Sequence, residues 1–113
     1  MTEQEIQSAL AELRAQIDDL DLRILELLNA RTRVVERIGE IKRQAELPVY
    51  EPKREDAVFR NVLEGNRGPL SGAAVRRLFE RIIDEMRTLQ RERMMQYEAA
   101  AANSTPPKEK IPE

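Results

Sequence analysis

Residues 10–42 read LAELRAQIDDLDLRILELLNARTRVVERIGEIK, and this stretch decides the fold. Its apolar residues recur at alternating spacings of three and four, which is the pattern of one face of an α-helix. Thr2 with Glu5 is a capping-box signature, and no proline occurs before Pro48, so we predict one helix of roughly forty residues, about 60 Å long. The stripe consists of Leu10, Leu13, Ile17, Leu20, Ile24, Leu27, Val34, Ile38 and Ile41.

Arg31 occupies the one position in this stripe where the spacing calls for a hydrophobe. A guanidinium on the core-facing side of a helix is costly unless an anionic group meets it. Lys42, eleven residues further on, lies on nearly the same face, whereas Arg14 is turned about 100° away. Two cations on one face favour a site for a dianion, and Arg14 is free to point into a different pocket.

Composition limits the chemistry that this chain can perform. Among its 113 residues there is no Cys and no His, which excludes a disulfide, a thiol nucleophile, an imidazole base and an ordinary zinc site. Any chemistry must therefore use Arg, Lys, carboxylates and amides, and we expect neither a metal nor another cofactor. A formal charge of -2 and a pI near 5.4 argue against nonspecific binding of nucleic acid.

Hydropathy gives no sign of a membrane or a secreted protein. No apolar run approaches the length that spans a bilayer, and the first five residues, MTEQE, lack the basic and apolar regions of a signal peptide. The cytoplasm is the predicted location.

Two further helices are predicted after the first. Residues 46–51 read as a turn, Pro52 suits the first position of a second helix, and Gly65 ends it. Ser71 is the predicted N-cap of a third helix, and Gln90 shares that helix's apolar face. The apolar positions of this face are Val75, Leu78, Phe79, Ile82, Ile83, Met86 and Leu89.

The predicted fold is all-α, with a long, a short and a medium helix closed as an intertwined homodimer, because the long stripe exceeds what a small monomer can cover. Residues 1–102 form the predicted domain. Residues 103–113 turn to Ser, Thr, Pro and Lys, which is typical of a disordered tail.

Each polar candidate also has a purely structural interpretation. Charged residues on helices are usually solvated, with their aliphatic stems lying along the surface. Arg31 and Gln90 differ because they interrupt apolar stripes, and for them satisfaction by a neighbouring polar group and a role in binding stay equally open. The residues to which the solvated interpretation applies are Arg14, Lys42, Arg54 and Glu55.

Taken in order and spacing, these residues resemble the all-helical, intertwined-dimer class of chorismate mutases. The resemblance covers residues 10–91, and together with the stretch NRGP at 66–69 it looks most like mutase domains fused to the first enzyme of the shikimate pathway or to prephenate dehydratase. The matching segments are LRAQID at 13–18, LD at 20–21, LNAR at 28–31, IGEIK at 38–42, YEPKRE at 50–55, LF at 78–79, II at 82–83 and Gln90.

The resemblance implies roles for individual residues. Arg31 and, from the partner subunit, Arg14 would bind the two carboxylates of chorismate, since guanidinium forks suit carboxylate geometry. Lys42 and Gln90 would be catalytic and hydrogen-bond the ether oxygen of the breaking bond. The remaining implied roles fall to Glu55, which would accept from the ring hydroxyl, to Glu51 beside it where many relatives have Asp, and to Arg54, which would line the pocket.

Met86 departs from the pattern, because some relatives have a serine there that contacts a substrate carboxylate. Methionine cannot donate that hydrogen bond, so more of the binding would depend on Arg31.

The implied reaction, a unimolecular rearrangement of chorismate to prephenate for phenylalanine and tyrosine biosynthesis, needs no nucleophile, metal or proton-transfer base. It needs a bound, compact conformer and stabilisation of negative charge on the ether oxygen. Two alternatives stay open: an isochorismate-pyruvate lyase of the same fold, and a noncatalytic helical dimerisation module. A partner enzyme of the shikimate pathway stays open as well.

Overall fold

A computed structural model describes residues 1–104 and contains three helices. They are α1 (Glu3–Gln44), α2 (Pro52–Gly65) and α3 (Gly72–Ser104), and no strand occurs among the described residues. The predicted all-α class and the order of the helices are therefore confirmed. In the described part of the chain, no helix has both the length and the apolar character needed to cross a membrane.

The predicted helix starts agree with the structure. The Thr2 hydroxyl accepts a hydrogen bond from the Glu5 backbone N–H at 3.1 Å, and the Ser71 hydroxyl accepts one from the Ala74 N–H at 3.1 Å. Both bonds satisfy N–H groups that the first turn of a helix leaves unpaired. Pro52 opens α2, where its missing N–H costs nothing.

The third helix is longer than predicted. It has 33 residues, and it includes Asn103 and Ser104, which composition assigns to the tail. The alanines at 99–102 have the highest helix propensity of any residue, which explains how the helix continues past its apolar stripe. The rest of the predicted tail, residues 105–113, lies outside the described residues.

The chain divides into two compact units, residues 1–34 and a second unit that begins at Val35. The first unit is helical from Glu3, and its apolar stripe is open to solvent: Ile17 is 54% exposed and Leu27 71% exposed. Apolar surface of this extent on one helix is typical of a face that another chain covers.

The second unit contains the buried residues of the described chain. In it α2 packs on α3, and two apolar side chains, Val75 and Ile83, are buried. The other two buried residues are polar, Lys42 and Gln90. Leu78, predicted on the apolar face of α3, is 54% exposed.

Candidate functional site

The way in which α1 ends determines where the following backbone lies relative to the Lys42 side chain. The Leu47 N–H donates to the Lys42 carbonyl at 2.7 Å and the Glu46 N–H donates to the Arg43 carbonyl at 3.2 Å. This pair of bonds, with Glu46 in the left-handed region at φ 56°, is the Schellman ending of a helix. The chain therefore reverses directly after α1 and returns past Lys42.

Lys42 is the centre of the site, with only 7% of its surface exposed. Its Nζ donates to the Val49 carbonyl at 2.9 Å and lies 2.6 Å from Glu51 Oε1. A buried ammonium requires such partners, because an unpaired charge away from water is strongly disfavoured. Two residues predicted for the site, Lys42 and Glu51, are thus in direct contact.

Gln90 is the second buried polar side chain, 8% exposed. Its Nε2 donates to the Val35 carbonyl at 3.4 Å, which is long for a hydrogen bond. The amide also lies against Gly39, where an added Cβ would be 3.7 Å from Gln90 Cγ. Gly39 precedes Lys42 by one turn of α1, so the α3 amide approaches α1 close to the turn that carries the ammonium.

Glu55 forms an ion pair that the sequence did not predict. Its Oε2 lies 3.0 Å from Arg87 Nε, and Arg87 Nη2 lies 2.9 Å from Asp84 Oδ1. The Arg87 guanidinium carbon is also 5.4 Å from the centre of the Tyr50 ring. The sequence did indicate that Arg87 lies on the inner side of α3, because it follows Ile83 of the apolar face by four residues and precedes Gln90 by three.

The remaining predicted residues differ in exposure. Arg54 is exposed in the first turn of α2, and Met86 is half-buried on α3. In the unit of residues 1–34, Arg14 is exposed and Arg31 is half-buried. The binding roles that the resemblance implies for Arg14, Arg31 and Arg54 stay predictions.

Lys42, Gln90 and Glu55 supply hydrogen-bond donors and a carboxylate rather than a nucleophile. An ammonium with three N–H donors and an amide with two can stabilise negative charge that develops on a bound oxygen. Glu55 supplies a carboxylate that can accept from a hydroxyl. The arrangement therefore suits a reaction that is driven by orientation and electrostatics.

The described residues thus form a helical domain with two buried polar side chains, Lys42 and Gln90, and a carboxylate paired with the lysine. Such buried donors define a candidate binding site, and sequence comparison gives the chain a family. Residues 13–91 match the family described as chorismate mutase type II. The chain belongs to this family.

Several relatives have related names. The chain is 36% identical over 100 residues to the bifunctional chorismate mutase/prephenate dehydratase of Aquifex aeolicus, covering 85% of this chain and 28% of the relative. It is 38% identical over 94 residues to the Neisseria gonorrhoeae protein of the same name, covering 83% of this chain and 25% of the relative. The chain thus spans only about a quarter of the length of these curated relatives.

A solved structure shares the fold over nearly its whole length. The chorismate mutase (form II) of Thermus thermophilus superposes with a TM-score of 0.72 at 32% identity, and the match covers 74% of this chain and 94% of the other.

Proposed function

We propose that this protein is a chorismate mutase, an isomerase that converts chorismate to prephenate by intramolecular rearrangement in phenylalanine and tyrosine biosynthesis. The observation that carries this proposal is the burial of Lys42 and Gln90, which account for two of the four buried residues in the described chain. Burial of polar side chains lowers stability unless they are hydrogen-bonded or paired, and two donors held away from water are suited to charge stabilisation.

In this proposal Lys42 and Gln90 are the catalytic residues. As negative charge grows on the ether oxygen of the breaking bond, the ammonium and the amide N–H groups stabilise it. The long bond from Gln90 to the Val35 carbonyl supports this role, because a weak internal bond is exchanged at little cost for a ligand. Lys42 keeps its contacts with Glu51 and the Val49 carbonyl and offers its third N–H to the substrate.

We assign substrate binding to the other polar residues that the family resemblance implies. Glu55, with Glu51 one helical turn before it, accepts from the ring hydroxyl, and Arg54 lines the pocket. Arg31 binds one carboxylate of chorismate, and Arg14 of a second copy binds the other.

The second copy is itself part of the proposal. The exposed stripe of residues 1–34 gives a homodimer the apolar surface that it needs, and Leu13 and Leu20, each at least half exposed, lie on it. The proposed location is the cytoplasm. A partner enzyme of the shikimate pathway is compatible with the fused relatives, whose names combine two activities.

The test is an assay of the purified protein with chorismate, following both loss of chorismate and formation of prephenate. A parallel reaction with isochorismate, following release of pyruvate, tests the lyase alternative. Turnover of chorismate alone supports the proposal, whereas turnover of isochorismate alone would favour the lyase. Absence of both reactions in a folded dimer would favour the dimerisation module.

A further inference from the structure

We propose that Arg87 is a positioning residue, which holds the Glu55 carboxylate so that the site recognises the ring hydroxyl of the substrate. The inference rests on the proposed function, in which Glu55 accepts that hydroxyl. Neither the sequence pattern nor the family resemblance assigns Arg87 a role.

The first support is the geometry of the guanidinium. Nε and Nη2 form one edge of the Arg87 fork, and that edge bridges Glu55 Oε2 at 3.0 Å and Asp84 Oδ1 at 2.9 Å. Asp84 lies one turn earlier on α3, so it anchors Arg87 to its own helix. The contact with Glu55 is an ion pair without hydrogen-bond geometry, so the charge of Arg87, held by Asp84, keeps the Glu55 carboxylate of α2 close to α3.

The second support is the depth of the pair. The side chains of Arg87 and Glu55 are 28% and 20% exposed, whereas the ordinary i,i+4 pair of Arg81 with Glu85 on the same helix is 78% and 56% exposed. Exposed pairs contribute little, but partly buried ones are less screened and hold their geometry better. The Arg87–Glu55 pair is therefore shielded enough from water to restrict the motion of the Glu55 side chain.

The third support is the position of the pair relative to the site. The Arg87 guanidinium carbon lies 5.4 Å from the centre of the Tyr50 ring, and Tyr50 directly precedes Glu51, the partner of Lys42. Arg87 also precedes Gln90 by one turn of α3. Within residues 1–104, Glu55 Oε1 forms no ion pair, which leaves one carboxylate oxygen to accept from a ligand.

Ordering Glu55 in advance removes a cost that substrate binding would otherwise carry. Fixing one long, rotamer-rich side chain on binding weakens affinity by roughly two- to tenfold. Since the ring hydroxyl is not part of the bonds that form or break, this effect should appear mainly in KM and not in kcat.

The experiment compares the parent with Arg87→Met, Arg87→Lys and Arg81→Met. We expect Arg87→Met to raise KM for chorismate about fivefold with kcat within about twofold of the parent. Arg87→Lys, which keeps the charge but not the fork, should recover part of the loss. The matched control Arg81→Met, which removes an exposed ion pair from the same helix, should leave both constants unchanged.

The decisive measurement uses a chorismate analogue that lacks the ring hydroxyl, tested as a competitive inhibitor. Its inhibition constant should be the same for the parent and Arg87→Met, because the analogue lacks the hydroxyl that Glu55 binds. In a Glu55→Ala background, Arg87→Met should likewise change KM less than about 1.5-fold.

An equal loss for chorismate and the analogue, or an undiminished loss in the Glu55→Ala background, would show that Arg87 acts on folding or on another group. An unchanged KM in Arg87→Met would overturn the inference as well. These outcomes require an active parent. A parent that leaves chorismate unconverted would refute the proposed function, and this inference with it.

Discussion

The Lys42 ammonium and the Glu51 carboxylate are 2.6 Å apart, so the buried cation of α1 is neutralised by the residue that immediately precedes α2. Glu51 Oε1 and the Val49 carbonyl oxygen occupy two of the three N–H donors of the Lys42 ammonium. A ligand that uses Lys42 therefore has one N–H donor left to it, and it binds beside a carboxylate that already offsets the charge of the ammonium.

We expect Lys42→Ala to lower kcat by at least about 100-fold, because its charge matters most in the transition state. The free energy of unfolding should fall by only about 1–2 kcal/mol, the cost of leaving the Val49 carbonyl without its donor. Steady-state kinetics and urea denaturation measure the two quantities. Lys53→Ala, which removes an exposed lysine of α2, is the matched control. Near-parental turnover in folded Lys42→Ala would remove Lys42 from the mechanism.

Gln90→Glu should make activity depend on acid conditions, whereas the parent stays active at neutral pH. A carboxyl group donates a hydrogen bond only when protonated, and burial at this position raises its pKa above the reference value of about 4.3. Activity should be present below that raised pKa and be lost as the pH rises through it. The profile of kcat/KM against pH is the measurement. Gln96→Glu, an exposed change on the same helix, should keep the parent's profile, and the same profile in Gln90→Glu would mean that Gln90 is not the donor.

A mixture of two inactive variants, Arg14→Ala and Arg31→Ala, should recover activity after they are unfolded and refolded together. In a mixed dimer one pocket receives both substitutions and the other keeps an intact Arg31 and an intact Arg14. Random pairing of equal amounts makes half of the dimers mixed, each with one good pocket of two, so about a quarter of the parental activity should return.

Neither variant refolded alone can give this result, which makes each its own control. If mixed dimers form and the mixture stays inactive, Arg14 does not act across a dimer interface.

Tyr97 should stabilise the second unit through its ring. The Arg43 guanidinium lies 4.1 Å from the ring centre, and the Tyr97 hydroxyl donates to Glu40 Oε1 only at 3.5 Å. We expect Tyr97→Ala to lower the free energy of unfolding by about 1 kcal/mol or somewhat more, through lost cation–π attraction and packing. Tyr97→Phe, which keeps the ring, should be nearly neutral. Urea denaturation at one protein concentration separates the two variants, and equal destabilisation by both would assign the effect to the hydroxyl.

What the sequence predicted correctly depends on neighbours along the chain. The period of α1, the caps at Thr2 and Ser71, and Pro52 at the start of α2 all follow from interactions within a few residues. The placement of Lys42 on the core side of α1 follows from the same period, and its burial agrees with it.

What the sequence did not predict depends on contacts between helices. Pairing of Arg87 with Glu55 requires α2 and α3 to be packed, and no spacing rule links residues 32 positions apart. The donor–acceptor contact between Lys42 and Val49 requires the reversal after α1, which depends on Glu46 adopting a conformation more common for glycine. The length of α3 was underestimated because composition drew the boundary at the first polar residues after the alanines.

The reversal after α1 also limits how this chain can change. Surface connections between helices usually tolerate inserted residues, because lengthening a loop costs little entropy. The end of this connection is attached to the helix before it, because Lys42 Nζ on α1 contacts both the Val49 carbonyl and the Glu51 carboxylate. An insertion between residues 45 and 49 would move those acceptors away from the ammonium while leaving the helices intact. The connection therefore acts as a spacer of fixed length. Substitutions in it are tolerated more readily than insertions or deletions.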